Sequence, residues 1–487
     1  MFDRRDFLVS AGALLALPGF AVRNSSIVSD GEKPKLRFGV ISDLHLAPQR
    51  NFGAQYLKRA LIYFRDLDVD AVAITGDITD WGCVDQLQVA ADVWNEVFKD
   101  GRGKSGRIVE KLFVTGNHDR DGWSYGTAKK YFQNHPELAE GANRIASDYQ
   151  RNWKDVLGED YQPIHIKEVN GYRFVLNNEL FYQPKCAFLE DHRKELAGER
   201  PFFYLQHFHP MGTCSAPWTW GQDAGYSTKA LSLFPNAIAF SGHSHTPLVD
   251  ERTIWQGSFT SVGAGSLRFL VPFGGRENSL PFSTKDPMPS QMNPLGRCDS
   301  QQGLLVTVYE DRVVFGRMDF HDNAIAGPDW VMPLPFDGSL AFDKRAEKAL
   351  VPEFGGADKV CVDTSRDAEE GGERMVVSFP CVKDWNARAY DYEINVELSD
   401  VDVERVMLSK RVYSPGFFRC PSKDSRVVKC VFSRSELPVN YPLKTSAHSP
   451  TCSKGRQFRF AVRPLNCWGR SGKPIYSKWF VDFSEQR

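Results

Sequence analysis

Five times along this chain a short apolar run breaks off into a group of Asp, His and Asn side chains, and no other feature limits the fold as tightly. Leu36 to Ser42 ends in Asp43-Leu44-His45, and Ala71 to Thr75 ends in Gly76-Asp77-Ile78-Thr79-Asp80. Leu112 to Thr115 ends in Gly116-Asn117-His118-Asp119, Phe202 to Gln206 in His207-Phe208-His209-Pro210, and Ala237 to Ser241 in Gly242-His243-Ser244-His245. Each run is almost continuously apolar and too short for a buried helix, the pattern of a strand covered on both faces. α/β sheets carry their chemistry just beyond the carboxyl ends of the strands, where polar groups from distant segments converge. Six of the 11 histidines fall in these five stretches, which random scatter explains poorly. Asn offers a neutral oxygen, His a transferable proton, and Asp a carboxylate able to hold an imidazole in one orientation. Five strand ends carrying them are what a polynuclear metal site needs.

The 487 residues correspond to about three domain-sized units, or two with a generous first one. With 60 basic against 61 acidic side chains the chain lacks the cationic excess of a duplex-binding protein, so a small ligand is expected rather than nucleic acid. Arg4-Arg5-Asp6-Phe7-Leu8 precedes an apolar stretch to Ala21, too short to span a bilayer but suited to a signal segment over residues 1–25. It resembles a twin-arginine export signal, with Asp3 where Ser or Thr is more usual, and implies a periplasmic or extracellular protein. An ordinary secretory signal with incidental arginines is the other reading. The twin-arginine route exports folded proteins, so metals would load before export. No other stretch is apolar enough to cross a membrane, and stable membrane insertion is not expected.

From residue 33 to 335 strands and helices alternate. Ala54 to Leu67 and Val84 to Phe98 carry apolar residues at helical spacing, giving β-α-β-α-β, the parallel doubly wound arrangement. Asn170-Gly171 predicts a type I′ hairpin between Ile164–Val169 and Tyr172–Leu176, and a second hairpin joins Gly303–Val308 to Arg312–Met318. Residues 336–374 mix charge, Gly and few apolar runs and read as linker. Beyond it, six strand-like segments without helices predict an all-β sandwich over 375–487. Within it, Phe458 to Ser471 is similar to the late strand and turn of a fibronectin type III domain, with Phe458 where that family has a corner tyrosine. The ten Cys form no C-x-x-C. Six of them (361, 381, 420, 430, 452 and 467) lie in the last third, where disulfides and buried thiols are equally compatible with the spacing.

Taken together, Asp-x-His, Gly-Asp, Gly-Asn-His-Asp, a His closing a strand and Gly-His-x-His resemble the calcineurin-like metallophosphoesterase superfamily over residues 36–318. The resemblance implies a sheet sandwich flanked by helices and two metal ions. Asp43, His45, Asp77 and His245 would hold one; Asp77, Asn117, His207 and His243 would hold the other, with Asp77 bridging. Mixed carboxylate and imidazole ligands suit Mn, Fe or Zn, divalent or trivalent. In the fourth block the superfamily commonly has one His before the Pro, whereas this chain has two. His207, directly at the strand end, is the expected ligand, and His209 either contacts substrate or metal ligands or makes a structural hydrogen bond. His118 is the expected proton donor to the leaving oxygen, with Asp119 orienting its ring. Purple acid phosphatases of the same superfamily have a Tyr ligand where Asp80 stands, so no tyrosinate colour is expected.

Hydrolysis of phosphomonoesters and of phosphodiesters is equally compatible with such a centre. Trp81, Trp123, Tyr125, Trp218 and Trp220 are able to stack on a base or sugar ring, but a packed cap over the sheet explains them better. Arg50, Arg120 and Lys185 serve a second phosphate charge or ordinary surface ion pairs. A reading from another class makes the chain a catalytically silent binding or scaffold protein that acts through the sandwich. The complete ligand set with His118 argues against it.

Overall fold

The computed structural model describes residues 32–47, 52–140, 142–179, 184–214, 222–270, 300–366, 373–384, 386–400, 403–414, 417, 427–433, 435–437 and 457–481. The signal segment, Arg50, Trp218, Trp220, Cys420 and Cys452 lie outside the described residues. Among those described, no helix is long and apolar enough to cross a membrane.

Strands β1 (Leu36–Ile41), β2 (Ala71–Thr75) and β3 (Glu110–Val114) pair in parallel, with helices α1 (Phe52–Asp66) and α2 (Val84–Val97) between them. The strands that end at His207 and His243 are in a different sheet. There β4 (Ile164–Val169) and β5 (Tyr172–Asn177) form the Asn-Gly hairpin, and Asn170 and Gly171 have φ of 50° and 76°. Then β6 (Phe202–Leu205), β7 (Ala237–Ser241) and β9 (Thr260–Gly263) continue in parallel, with β8 (Ile254–Gln256) at the edge. In the first sheet β10 (Gln302–Val308) pairs antiparallel with β1, and β11 (Arg312–Asp319) follows by the second hairpin.

The two sheets pack face to face. Phe38, Val40, Ala73, Leu112 and Val114 of one meet Phe174, Phe203, Leu205, Ile238 and Phe240 of the other in a single core. Phe38 sits edge-on to Phe174, Phe203 and Phe240 at 5.2, 4.8 and 5.8 Å between ring centres. Side chains alternate along each strand, so Val72, Ile74 and Phe113 point the other way, onto α1 and α2. Helices therefore cover only one face of the first sheet. The doubly wound expectation fails there because the second face is closed by a sheet.

In its described residues, the stretch 336–374 is not a linker. Helix α3 (Phe342–Lys348) buries Phe342 and Ala346, one turn apart, and the Phe342 ring is 5.2 Å from Trp468, edge-on. Arg470 closes the far end of this helix, its Nη1 donating to the carbonyls of Ala346, Glu347 and Ala349 at 3.3, 2.9 and 2.6 Å. Asp343, Lys344, Glu347 and Lys348 are exposed, whereas Arg345 turns inward to Glu251 and the carbonyl of Ile254. Next, β12 (Cys361–Arg366) pairs with β13 (Glu373–Pro380) and is itself a strand of the C-terminal unit.

That unit is all-β in its described residues. β12, β13 and β16 (Val427–Ser433) form one antiparallel sheet; β15 (Val403–Tyr413), β14 (Asp391–Asp400) and β17 (Gln457–Leu465) form the other, extended by two short strands. Val377, Phe379, Ile394, Val396, Phe432 and Phe460 share the core between them. Cys361, Cys430 and Cys467 are free thiols, the last two buried. The unit docks on the segment just past His245. Arg252, fully buried, pairs with Asp250 at 2.6 Å and lays its guanidinium 4.8 Å from the Tyr390 ring centre.

Candidate metal centre

The carboxyl ends of β1, β2, β3, β6 and β7 come together at one edge of the two sheets. The loops after β1 and β2 are zipped side by side, continuing the parallel pairing past the strands. Asp43 N donates to Gly76 O at 3.1 Å, His45 N to Asp77 O at 3.0 Å and Leu46 N to Ile78 O at 3.0 Å. This zipper sets Asp43, His45 and Asp77 in fixed positions at the mouth of the core. Their carboxylates are then held by backbone N–H groups from other loops. His243 N donates to Asp43 at 3.0 Å, and His118 N donates to Oδ1 of Asp77 at 2.8 Å. Such close approach requires glycine. A Cβ on Gly116 would lie 2.2 Å from Asp77 Oδ1, and one on Gly242 would lie 2.4 Å from Asp43 Oδ2.

Asp43, His45, Asp77, His243 and His245 all have left-handed backbone, with φ of 53°, 44°, 51°, 67° and 53°. Side-chained residues seldom adopt it, and each instance costs of order 1–3 kcal/mol. Five together mark a place where surrounding structure imposes geometry for chemistry.

The donor atoms form groups of three: Asp43, His45 and His245; His45, Asp77 and His118; Asp77, His207 and His243. Asp77 belongs to two of them. Its Oδ2 is 3.1 Å from His207 Nε2 and 3.7 Å from His45 Nε2, the position of a bridging carboxylate. Asp43 Oδ1 is 3.1 Å from His245 Nε2, and the Nε2 atoms of His45 and His245 are 3.2 Å apart. Two ligands about 2.1 Å from one cation stand about 3.0–3.4 Å apart, so this spacing fits shared coordination.

Three histidines are pinned at Nδ1 by an oxygen acceptor. His207 Nδ1 meets Thr75 O at 2.8 Å, His245 Nδ1 meets Phe269 O at 2.9 Å, and His45 Nδ1 meets Asp80 Oδ1 at 3.1 Å. An acceptor there places the proton on Nδ1 and leaves the Nε2 lone pair for a metal, the arrangement of ligating histidines. Asn117 Oδ1 is buried and accepts no hydrogen bond. These residues fit a pair of cations.

The electrostatics agree. Burial alone would push the Asp43 carboxyl up, but the imidazoles of His245, His45 and His207 overcome this and hold it well below the usual carboxylate range. Asp77 is lowered in the same way, chiefly by His207. In return, against the effect of burial, Asp77 raises His207 to about 9, and Asp43, Asp80 and Asp77 raise His45 to about 10. The centre is a sink for positive charge.

His118 stands beside this group, its ring centre 4.4 Å from that of His45. Its Nδ1 donates to the backbone carbonyl of Asp80 at 2.7 Å, and burial lowers its pKa despite the carboxylates nearby. Asp119 does not orient it, contrary to the sequence expectation. The Asp119 carboxylate is fully buried and accepts from Gly116 N at 2.8 Å, Thr79 N at 2.7 Å, Thr79 Oγ1 at 2.8 Å and Ile78 N at 3.2 Å. It ties the third loop to the second. Asp80 takes over the ring-holding role for both His45 and His118. The available signal was an acid three residues after Asp77 in the same loop.

Of the two histidines in the fourth block, His207 enters the group. His209 is buried with hydroxyl partners at both ring nitrogens, Ser241 Oγ at 2.5 Å and Ser244 Oγ at 2.7 Å, and serves structure. Trp81 stacks on Tyr131 at 4.8 Å and Trp123 on Phe132 at 4.1 Å, forming a packed cap. Tyr125 alone of the three aromatics reaches the centre, its hydroxyl 3.0 Å from Asn117 Nδ2. Arg120 is exposed beside Asp121.

Residues 36–247 match the calcineurin-like phosphoesterase family. The matched stretch runs from β1 through Gly242-His243-Ser244-His245 and holds every proposed ligand. Similar solved structures include a dimetal phosphatase from Danio rerio, 13% identical over 61% of this chain and 99% of that one, with a TM-score of 0.34. A predicted phosphoesterase from Streptococcus pneumoniae is 13% identical over 61% and 97%, with a TM-score of 0.27. GAP50, the anchor in the inner membrane complex of Plasmodium, is 12% identical over 63% and 90%, with a TM-score of 0.34. No curated protein matches the sequence. The family match and the donor groups support a metal-dependent phosphoesterase.

Proposed function

We propose that the chain is an exported phosphoesterase that hydrolyses a small phosphomonoester or phosphodiester at a two-metal centre. The observation that carries this reading is Asp77, shared between donor groups that contain His45 on one side and His207 with His243 on the other. Asp43, His45, Asp77 and His245 would hold one cation, and Asp77, Asn117, His207 and His243 the other. Mn, Fe or Zn would suit this donor set. When bound, such a pair neutralises phosphoryl charge, acidifies a water and orients in-line attack.

The chain's own part is positional and protonic. Backbone N–H groups of His243 and His118 keep the two carboxylates from turning away. His118, fixed through Nδ1 on the Asp80 carbonyl, has Nε2 left to carry a proton to the leaving oxygen. The two facing sheets of the C-terminal unit, of three and five strands, support a fibronectin type III-like domain that braces the loop beyond His245. Arg4 and Arg5 support export by the twin-arginine route.

The test is release of p-nitrophenol from mono- and bis-p-nitrophenyl phosphate with Mn or Zn present and with a chelator. Turnover of one ester or both, abolished by chelation, is expected, and the ratio assigns the ester class. Bound metal without turnover of either would favour the silent scaffold. For export, replacing Arg4 and Arg5 by Lys should retain the protein in the cytoplasm.

A further inference from the structure

We infer that Tyr125 is a positioning residue that decides which end of the Asn117 carboxamide faces the centre. This rests on the two-metal reading above. A carboxamide has two ends of nearly equal shape and opposite use, since the oxygen donates a lone pair to a cation and the NH2 group repels one. A half-turn about the last side-chain bond exchanges them. Asn117 is one-tenth exposed at most, so its surroundings must select between the two. The selecting contact is the Tyr125 hydroxyl, which accepts from Nδ2 at 3.0 Å and leaves Oδ1 buried with no hydrogen-bond donor of its own.

Tyr125 is well placed to act this way. It ends the short turn Gly122–Ser124 and opens the helix Gly126–Asn134, with its N–H on Gly122 O at 3.1 Å and its carbonyl accepting from Lys129 N at 2.9 Å. That turn is pressed against the loop carrying Asp80, since a Cβ on Gly122 would lie 2.6 Å from Asp80 O. The Tyr125 ring also meets His118 edge-on, with centres 4.8 Å apart. One side chain thus touches a ligand of one cation and the proton carrier.

The test compares the full chain with Tyr125→Phe, Asn117→Asp and the double variant, titrating each apo protein with Mn by calorimetry and counting bound Mn after dialysis. Phenylalanine removes only the hydroxyl. Tyr125→Phe should weaken the second cation by about 10- to 100-fold, the usual effect of losing an outer partner, leave the first unchanged, and leave the apo melting curve in place. A carboxylate presents oxygen at both ends, so in the Asn117→Asp background the same Tyr125→Phe change should have no further effect. Equal weakening of both cations by Tyr125→Phe, or the same loss in both backgrounds, would mean that the tyrosine only packs the loop and would overturn the inference. So would undiminished second-site binding in Tyr125→Phe. In each of these cases wild type still binds two cations and the phosphoesterase reading stands. A wild-type chain that takes up no second cation would overturn both.

Discussion

In the C-terminal sandwich, buried charge is matched pair by pair. Asp391 meets Arg411, and Glu397 accepts from Arg459 at 2.9 Å. Among the described residues, no metal-type donor group occurs there, and all ten side-chained residues with positive φ lie at or before Asn323. At the mouth of the two phosphoesterase sheets, Asp43 and Asp77 instead face imidazoles, and five of the converging residues have left-handed backbone. The sandwich satisfies local rules because it has only to pack. The mouth breaks them because charges of one kind must be held together for a ligand to resolve, and the two apolar layers beneath make that tolerable.

Four substitutions sharpen or break this contrast. Asp77→Asn should reduce turnover by more than the roughly 100-fold typical of an outer partner, and Mn should no longer raise the melting midpoint, because both cations lose their shared ligand. His118→Ala should lower kcat by about 10²–10⁴ while metal analysis still finds the wild-type content. If the variant is metal-free, His118 belongs with the ligands instead. In the sandwich, Arg411→Ala removes the guanidinium that faces the buried Asp391 carboxylate and should destabilise by about 3–5 kcal/mol in urea melts. Mn affinity should hold, and a loss there would show that the two regions are not independent. Asp80→Ala frees the His45 ring and should weaken Mn binding by about 10–100-fold, read by titration.

Much of this could be read from the residues. An apolar run that stops at Asp, His or Asn is a local pattern, and the five strand ends and both helices between the first three emerge from it. Which sheet each strand enters could not be read, since the partner of β6 or β7 lies far away in sequence and all five runs look alike. Asp119 was misassigned for a geometric reason. It follows Asn117 and His118 on the short helix Asn117–Asp121, and its carboxylate turns to the backbone N–H groups of Gly116, Ile78 and Thr79, partners that its place beside His118 in the chain does not reveal. The segment at 336–374 misled because α3 is charged on one face, and its buried Phe342 and Ala346 are too few to register as a run.

Arg470 donates to three carbonyls at the end of the helix that starts at Phe342, more than a hundred positions earlier. During synthesis, then, the outer wall of the catalytic half waits for the final strands to leave the ribosome. A nascent chain stopped short of that arginine would carry every ligand and still lack one of the clasps that join its two halves.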